Sequence, residues 1–296
     1  MTGNTGNTGN TGNTGNIGAA GAAGYYGLPD RVDLPFIAET TRVNNVLTPL
    51  ATLRVPNPAW QDRHWAGDWF AWTIIDEFVA TNWRNVIVLA DWRTQNVQAE
   101  LDLLARMAED ERADAMGEII TQDGGYEGFI AYFLGVVMAA PNSHPRTNRL
   151  LHAAALVGVM AGMHFKANPG HGAPPRPRPT QLLPAVMSPL GNPGHPAYPS
   201  GHATQARLMA LALAAAFGAH PAAGTLPALP ALAGAAALDA VLSDLAARIA
   251  RNREIAGLHY PSDTAAGFSL ADQAFAILRP LPGFATLLRQ AAEEWR

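Results

Sequence analysis

The sequence predicts an all-α fold, a helical bundle, and three observations carry this. Apolar residues recur at steps of three and four, as in Val97, Leu101, Leu104 and Ala108, with Asp and Glu on the opposite side. No stretch shows convincing period-two alternation, so no sheet is expected. Pro and Gly cluster between the periodic segments, at 141–145, 167–196, 221–230 and 280–282, which punctuates the chain into helices. Hydrophobic residues make up 48% of the 296 and charged ones 15%, enough apolar material for one large core.

Glycine returns at every third residue from Gly3 to Gly27, first as Thr-Gly-Asn and then as Gly-Ala-Ala. A collagen helix needs this period together with imino acids, which are missing here, so 1–28 is expected to be a disordered tail. A Gly-rich oligomerisation segment is the alternative. Residues 29–296 are expected to form a single helical domain, with an N-terminal half over 29–145 and a second half over 146–280. Within it, 29–60 is loop-like. Trp65, Trp69, Trp72 and Ile75 then form an aromatic stripe at helical spacing, which predicts a core-facing side. Further helices are expected at about 146–165, 201–219 and 234–253. Another starts at Pro261, where the missing N–H costs nothing, and a short one follows Pro282. The connection 167–196 is long for a compact domain, and such loops are often functional.

Composition excludes several functions. A formal charge of −4 provides no general field for nucleic acid or anionic lipid, so any anion site must be local. With no cysteine, disulfides, thiolate zinc sites and cysteine nucleophiles are absent. The start, MTGNTGNTGN, has neither the basic nor the apolar region of a secretory leader. The apolar stretches 129–140, 150–165 and 208–219 are each shorter than the ~20 residues of a spanning helix. Buried core helices, no integral membrane span and a cytoplasmic location by default are therefore expected. Helical faces leave a homodimer open.

Three clusters carry chemistry. In "HPAYPSGHATQ", Pro199 holds Tyr198 extended, Ser200 is a good N-cap and Gly201 lets backbone approach a ligand. The helix N-terminus that follows favours an anion, and His202 stands in its first turn. In "NREIAGLHYPSDTAAG", Arg253 closes one helix, Gly257 turns, and His259 precedes the next. Asp263, in that helix's first turn, can reach back to one imidazole nitrogen and leave the other as nucleophile or ligand. In "FKANPGHGAPPRPRPTQ", Lys166, Arg176 and Arg178 gather positive charge. Each cluster alone also reads as a capped helix, a satisfied histidine or a solvated loop. Together, three cations, a helix N-terminus and two histidines suit a tetrahedral oxyanion such as phosphate.

The order Lys, Arg-Pro, then Pro-Ser-Gly-His, then Arg-x5-His-x3-Asp resembles the signature of the type 2 phosphatidic acid phosphatase and vanadium haloperoxidase superfamily, over about 146–268. The resemblance implies a helical bundle of that type. It implies that Lys166, Arg178 and Arg253 hold the equatorial oxygens, with hydrogen bonds from Ser200 and the Gly201 amide. His202 becomes the acid–base residue. His259 becomes the phosphoryl-accepting nucleophile, or the vanadium ligand when vanadate is bound, and Asp263 orients it. Two departures stand out: a longer gap between Lys166 and the Arg-Pro pair, as if 169–175 were inserted, and Asn252 where many phosphatases have Ser. Arg178 is preferred to Arg176 because "RPTQ" matches the family's continuation.

The superfamily runs two reactions at this site. One is hydrolysis of a phosphoester through a phosphohistidine, with no cofactor. The other is oxidation of halide by hydrogen peroxide with vanadate as cofactor. His195, five residues before Ser200, falls where resembling haloperoxidases carry a His or aromatic on the halide side. That favours the haloperoxidase reading, with a soluble phosphatase as alternative. A non-catalytic anion-binding protein is a third option, and a histidine zinc site is disfavoured because no His-Glu-x-x-His spacing occurs.

Overall fold

The computed structural model describes 65–218 and 234–296, residues 60 and 62, and the backbone of 40–43 and 46–49. The glycine repeat, the Pro-rich link 221–230, His64 and His220 lie outside the described residues. The chain divides into two units, Met1–Ala66 and Gly67–Arg296. The boundary expected between 28 and 29 lies outside the described residues. In the first unit, strands β1 (Thr40–Val43) and β2 (Val46–Pro49) pair antiparallel, with Thr41 opposite Thr48. This short hairpin, β-branched in sequence, was expected to be loop.

The second unit is helical in all its described regular structure: α1 (Gly67–Val79), α2 (Trp83–Val86), α3 (Val97–Asp110), α4 (Arg112–Asp123), α5 (Tyr126–Val136), α6 (Pro145–Ala167), α7 (Pro179–Leu182), α8 (Gly201–Ala216), α9 (Ala235–Ile255), α10 (Pro261–Leu278) and α11 (Pro282–Glu293). Helix α8 is the axis of the bundle. It is Ala- and Leu-rich, buried from Ala203 to Ala216 except at Arg207, which pairs with Asp272, and packed by α6, α9 and α10. Small residues permit this density. A Cβ on Gly267 of α10 would meet the Ser200 carbonyl at 2.7 Å and the Ala203 Cβ at 2.9 Å, so α10 rests directly on the start of α8.

Helix α6, at 23 residues, is longer than its apolar stretch suggested. It is long and apolar enough to cross a bilayer, yet 61% of that window is buried inside the bundle. The long connection 167–196 is not structureless, since it holds α7 and a 3₁₀ turn over Pro184–Val186.

The aromatic stripe of α1 is a correction. Trp69 and Trp72 are 47% and 57% exposed, while Ala71, Ile74, Ile75 and Phe78 face the core. The helix has two apolar faces, and tight packing selects the one with smaller side chains. Against α6, α1 lies so close that a Cβ on Gly67 would meet the His152 ring at 2.4 Å, which leaves no space for indoles.

Candidate functional site

The three sequence clusters converge at one end of α8. Lys166 comes from the last turn of α6, Arg176, Arg178 and His195 from the connection before α8, and Ser200, Gly201 and His202 from the α8 start. Arg253 closes α9. Gly257, at φ +74°, turns the chain through a space where a Cβ would strike Val186 at 2.3 Å, and this delivers His259 to the site. Asp263 lies in the first turn of α10. A cavity of about 110 Å³ opens here, walled by Lys166, His195, Gly201, His202, Arg253 and His259.

His259 is held at both nitrogens. Its Nδ1 lies 3.3 Å from Asp263 Oδ2, and its Nε2 lies 3.1 Å from Arg178 Nη1. A carboxylate accepts and a guanidinium donates, so Nδ1 carries the hydrogen and Nε2 the lone pair. His202 has the reverse arrangement. Its Nε2 lies 3.0 Å from the Gln122 carbonyl and must donate, leaving Nδ1 as the nitrogen able to take a proton. Its ring also packs on Phe129, centroids 5.4 Å apart. Ser200 Oγ accepts from the Ala203 amide at 3.4 Å and caps α8, so the hydroxyl is spent partly on the helix.

Backbone carbonyls hold two of the cations. Lys166 Nζ donates to the carbonyls of Pro196, Ala197 and Pro199 at 2.8, 3.1 and 2.6 Å. Arg178 donates to the carbonyls of Leu258, His195 and Pro196, and to His195 Nδ1 at 2.9 Å. Among the described residues, neither contacts a carboxylate. Arg253 donates to the Ile119 carbonyl at 2.5 Å and reaches Asp123 at 3.3 Å, while its buried Nε has no partner among the described residues.

Charge is therefore concentrated and poorly neutralised. Burial, with Arg178 nearby, pushes the Lys166 ammonium down to about 7. Burial lowers Arg178 and Arg253 to about 10 each. Burial and the neighbouring cations hold His202 at about 3, His195 at about 4 and His259 well below its usual range, so all three are neutral at pH 7. Burial raises the Asp263 carboxyl, with Arg176 and the Tyr260 amide pulling it back. Each of these penalties on a buried positive charge is relieved by an anion in the cavity. The first amides of α8, which have no carbonyl one turn back, point the same way. The donor set thus fits a tetrahedral oxyanion.

All the residues expected from sequence gather here, at different depths. Arg178, Ser200 and Asp263 stand behind the cavity wall, not in it. The two arginines separate cleanly. Arg178 touches His259, whereas Arg176 lies on the far side of Asp263, bonded to Asp263, Ser262 and Glu100. Sequence reasoning missed Asp123, at the rim against Arg253, and the apolar lining from Val159, Met163 and Leu258. It also missed Gln122, which sets the His202 tautomer through its backbone carbonyl, a role no side-chain pattern could reveal. Compared with known proteins, the chain matches no family model, and no curated protein matches it.

Proposed function

We propose that this chain is an oxyanion-site enzyme whose bundle is of the vanadium haloperoxidase and acid phosphatase type, and that it oxidises halide with hydrogen peroxide when vanadate is bound. The observation that carries this reading is the cavity itself: Lys166 and Arg253 in its wall, Arg178 behind, and His259 with Nε2 as its lone-pair nitrogen. At about 110 Å³ it has room for an oxyanion with small neighbours.

Lys166, Arg178 and Arg253 would hold the anion's oxygens, with the first amides of α8 beside them, and His259 Nε2 would be the ligand. When bound, vanadate supplies the Lewis-acid centre that activates peroxide toward halide. His202 Nδ1, its lone pair facing the cavity, would accept a proton from peroxide once the bound anion offsets the neighbouring cations. His195, half-buried in the same wall and neutral, lines the approach on which halide is expected. Asp263 keeps the His259 proton on Nδ1.

Phosphoester hydrolysis is the second reading, favoured by the same imidazole. His259 Nε2 attacks phosphorus as the ester P–O bond breaks, and the three cations neutralise the equatorial oxygens; His202, protonated at Nδ1 in the substrate complex, gives that proton to the leaving oxygen and takes one back from the water that hydrolyses the phosphohistidine. One experiment divides the two. The purified chain is given bromide and hydrogen peroxide with and without vanadate, and in parallel a phosphomonoester. Bromination that requires vanadate supports the lead reading. Ester turnover inhibited by vanadate, without bromination, replaces it. Anion binding without either turnover leaves a non-catalytic binding protein.

A further inference from the structure

Arg176 lies outside the cavity wall and outside the motif positions to which the resemblance gave roles, yet it is 1% exposed and makes the shortest contacts around Asp263. Its Nη1 donates to Asp263 Oδ1 at 2.7 Å and to Ser262 Oγ at 2.7 Å, and its Nη2 donates to Glu100 Oε2 at 2.7 Å. Glu100, from the first turn of α3, also accepts from the Ser262 amide at 2.8 Å through Oε1. The guanidinium lies 3.7 Å over the Tyr260 ring, with Trp92 at 5.5 Å. A planar fork held at both ends and stacked on an aromatic face has one orientation, which a flexible ammonium would not reproduce.

The His259–Asp263 contact is weak by comparison, at 3.3 Å. Asp263 is fully buried, and its Oδ2 is shared between His259 Nδ1 and the Tyr260 amide at 3.0 Å. Its other oxygen has Arg176 as its short partner. The direction of Oδ2 therefore depends on what holds Oδ1.

We propose that Arg176, clamped between Glu100 and Asp263, is a positioning residue that holds the Asp263 carboxylate so that His259 stays in the Nδ1–H tautomer, with the lone pair on Nε2 that Arg178 faces. This rests on the reading that His259 is the reacting imidazole. A purely structural ion pair, tying α3 to α10, would use the same contacts without affecting the ring. The supporting groups behind a reacting or ligating histidine set its tautomer, and their loss costs roughly 10- to 100-fold in activity or affinity.

The test uses the full chain with ¹⁵N-labelled histidine, compared with Arg176→Gln, Arg176→Lys and Glu100→Gln. The ¹⁵N shifts of His259 report its tautomer with no turnover required. The expected result is a single Nδ1–H form in the parent and a mixture with Nε2–H in Arg176→Gln. Turnover, in whichever assay the parent is active, should drop roughly 10- to 100-fold in kcat with KM little changed. Arg176→Lys should restore part of both. A folded Arg176→Gln whose His259 keeps the parent tautomer overturns the proposal. If Arg176→Gln does not fold, Glu100→Gln carries the test: a mixed tautomer supports the proposal and an unchanged one overturns it. If the parent turns over neither bromide nor ester, the functional reading fails, and the tautomer comparison still decides the role of Arg176.

Discussion

Lys166 is the residue through which the site feels pH. Its ammonium is buried and held at about 7, against an ordinary 10.5. Between those values the unfolded chain binds a proton that the folded chain lacks, so this group's contribution to stability rises with pH across that window. Anion binding runs the other way, since the bound anion prefers the protonated amine. Sulfate, which stays a dianion throughout, is expected to bind more weakly as pH rises through 7, with proton uptake visible by calorimetry. Lys166→Met should weaken binding and flatten that dependence. Affinity unchanged from below 7 to well above it would contradict the role given to Lys166. His259→Ala should lower turnover by roughly three orders of magnitude or more in whichever assay the parent is active, as loss of a nucleophile does elsewhere. Full activity in that variant would remove His259 from the chemistry. At this scale the sequence was informative, because its three clusters, with the resemblance they carry, pointed to Lys166, His202, Arg253, His259 and Asp263, which the structure brings to one cavity end. It preferred Arg178 to Arg176 only through the resemblance, since which side of Asp263 a guanidinium reaches depends on how the 168–200 connection folds back.

At the scale of elements, helix starts were legible and helix faces were not. Ser200, Pro261 and Pro282 mark starts by local chemistry, and these three helices begin there, while α6 takes in Pro145, one residue before the expected start. The face of α1 depended on its neighbour. Because Trp69 and Trp72 point outward, Trp69→Gln and Trp72→Gln are expected to change stability by only about 0.5 kcal/mol or less. A large fall in the denaturant midpoint would restore the core reading of that stripe. The approach of α10 to α8 is the opposite case. Gly267→Ala would drive a Cβ into the Ser200 carbonyl at 2.7 Å, backbone that cannot step aside cheaply. The expected cost is about 1–3 kcal/mol of stability, as for overpacked cores, with weaker anion binding because the start of α8 moves. A variant as stable as the parent would mean that α10 slides freely.

For the whole molecule, the site is a place where the bundle tolerates buried cations without a full complement of carboxylates. Filling it should stabilise the fold. Any ligand specific for the folded state adds RT ln(1 + [L]/Kd), about 2.7 kcal/mol at a hundredfold excess over Kd. Sulfate or vanadate should therefore raise the thermal unfolding midpoint, more strongly below pH 7 than above it. Arg253→Gln should lose most of that rise. A midpoint indifferent to both anions would show that the carbonyls around Lys166 and Arg178 already compensate their charge.

By itself the sequence determined the helical class and the starts of the principal helices, because each rests on local periodicity and caps, and it named candidate site residues through three short clusters and the resemblance they carry. Tertiary structure alone decided what those residues face. It buried the small-residue face of α1 and left the indoles outside. It turned the Gln122 carbonyl of α4 onto His202, and set Arg178 against His259 but Arg176 behind Asp263. These outcomes depend on the close approach of helices distant in sequence, and no local pattern records which surfaces a packed bundle will bring within 3 Å.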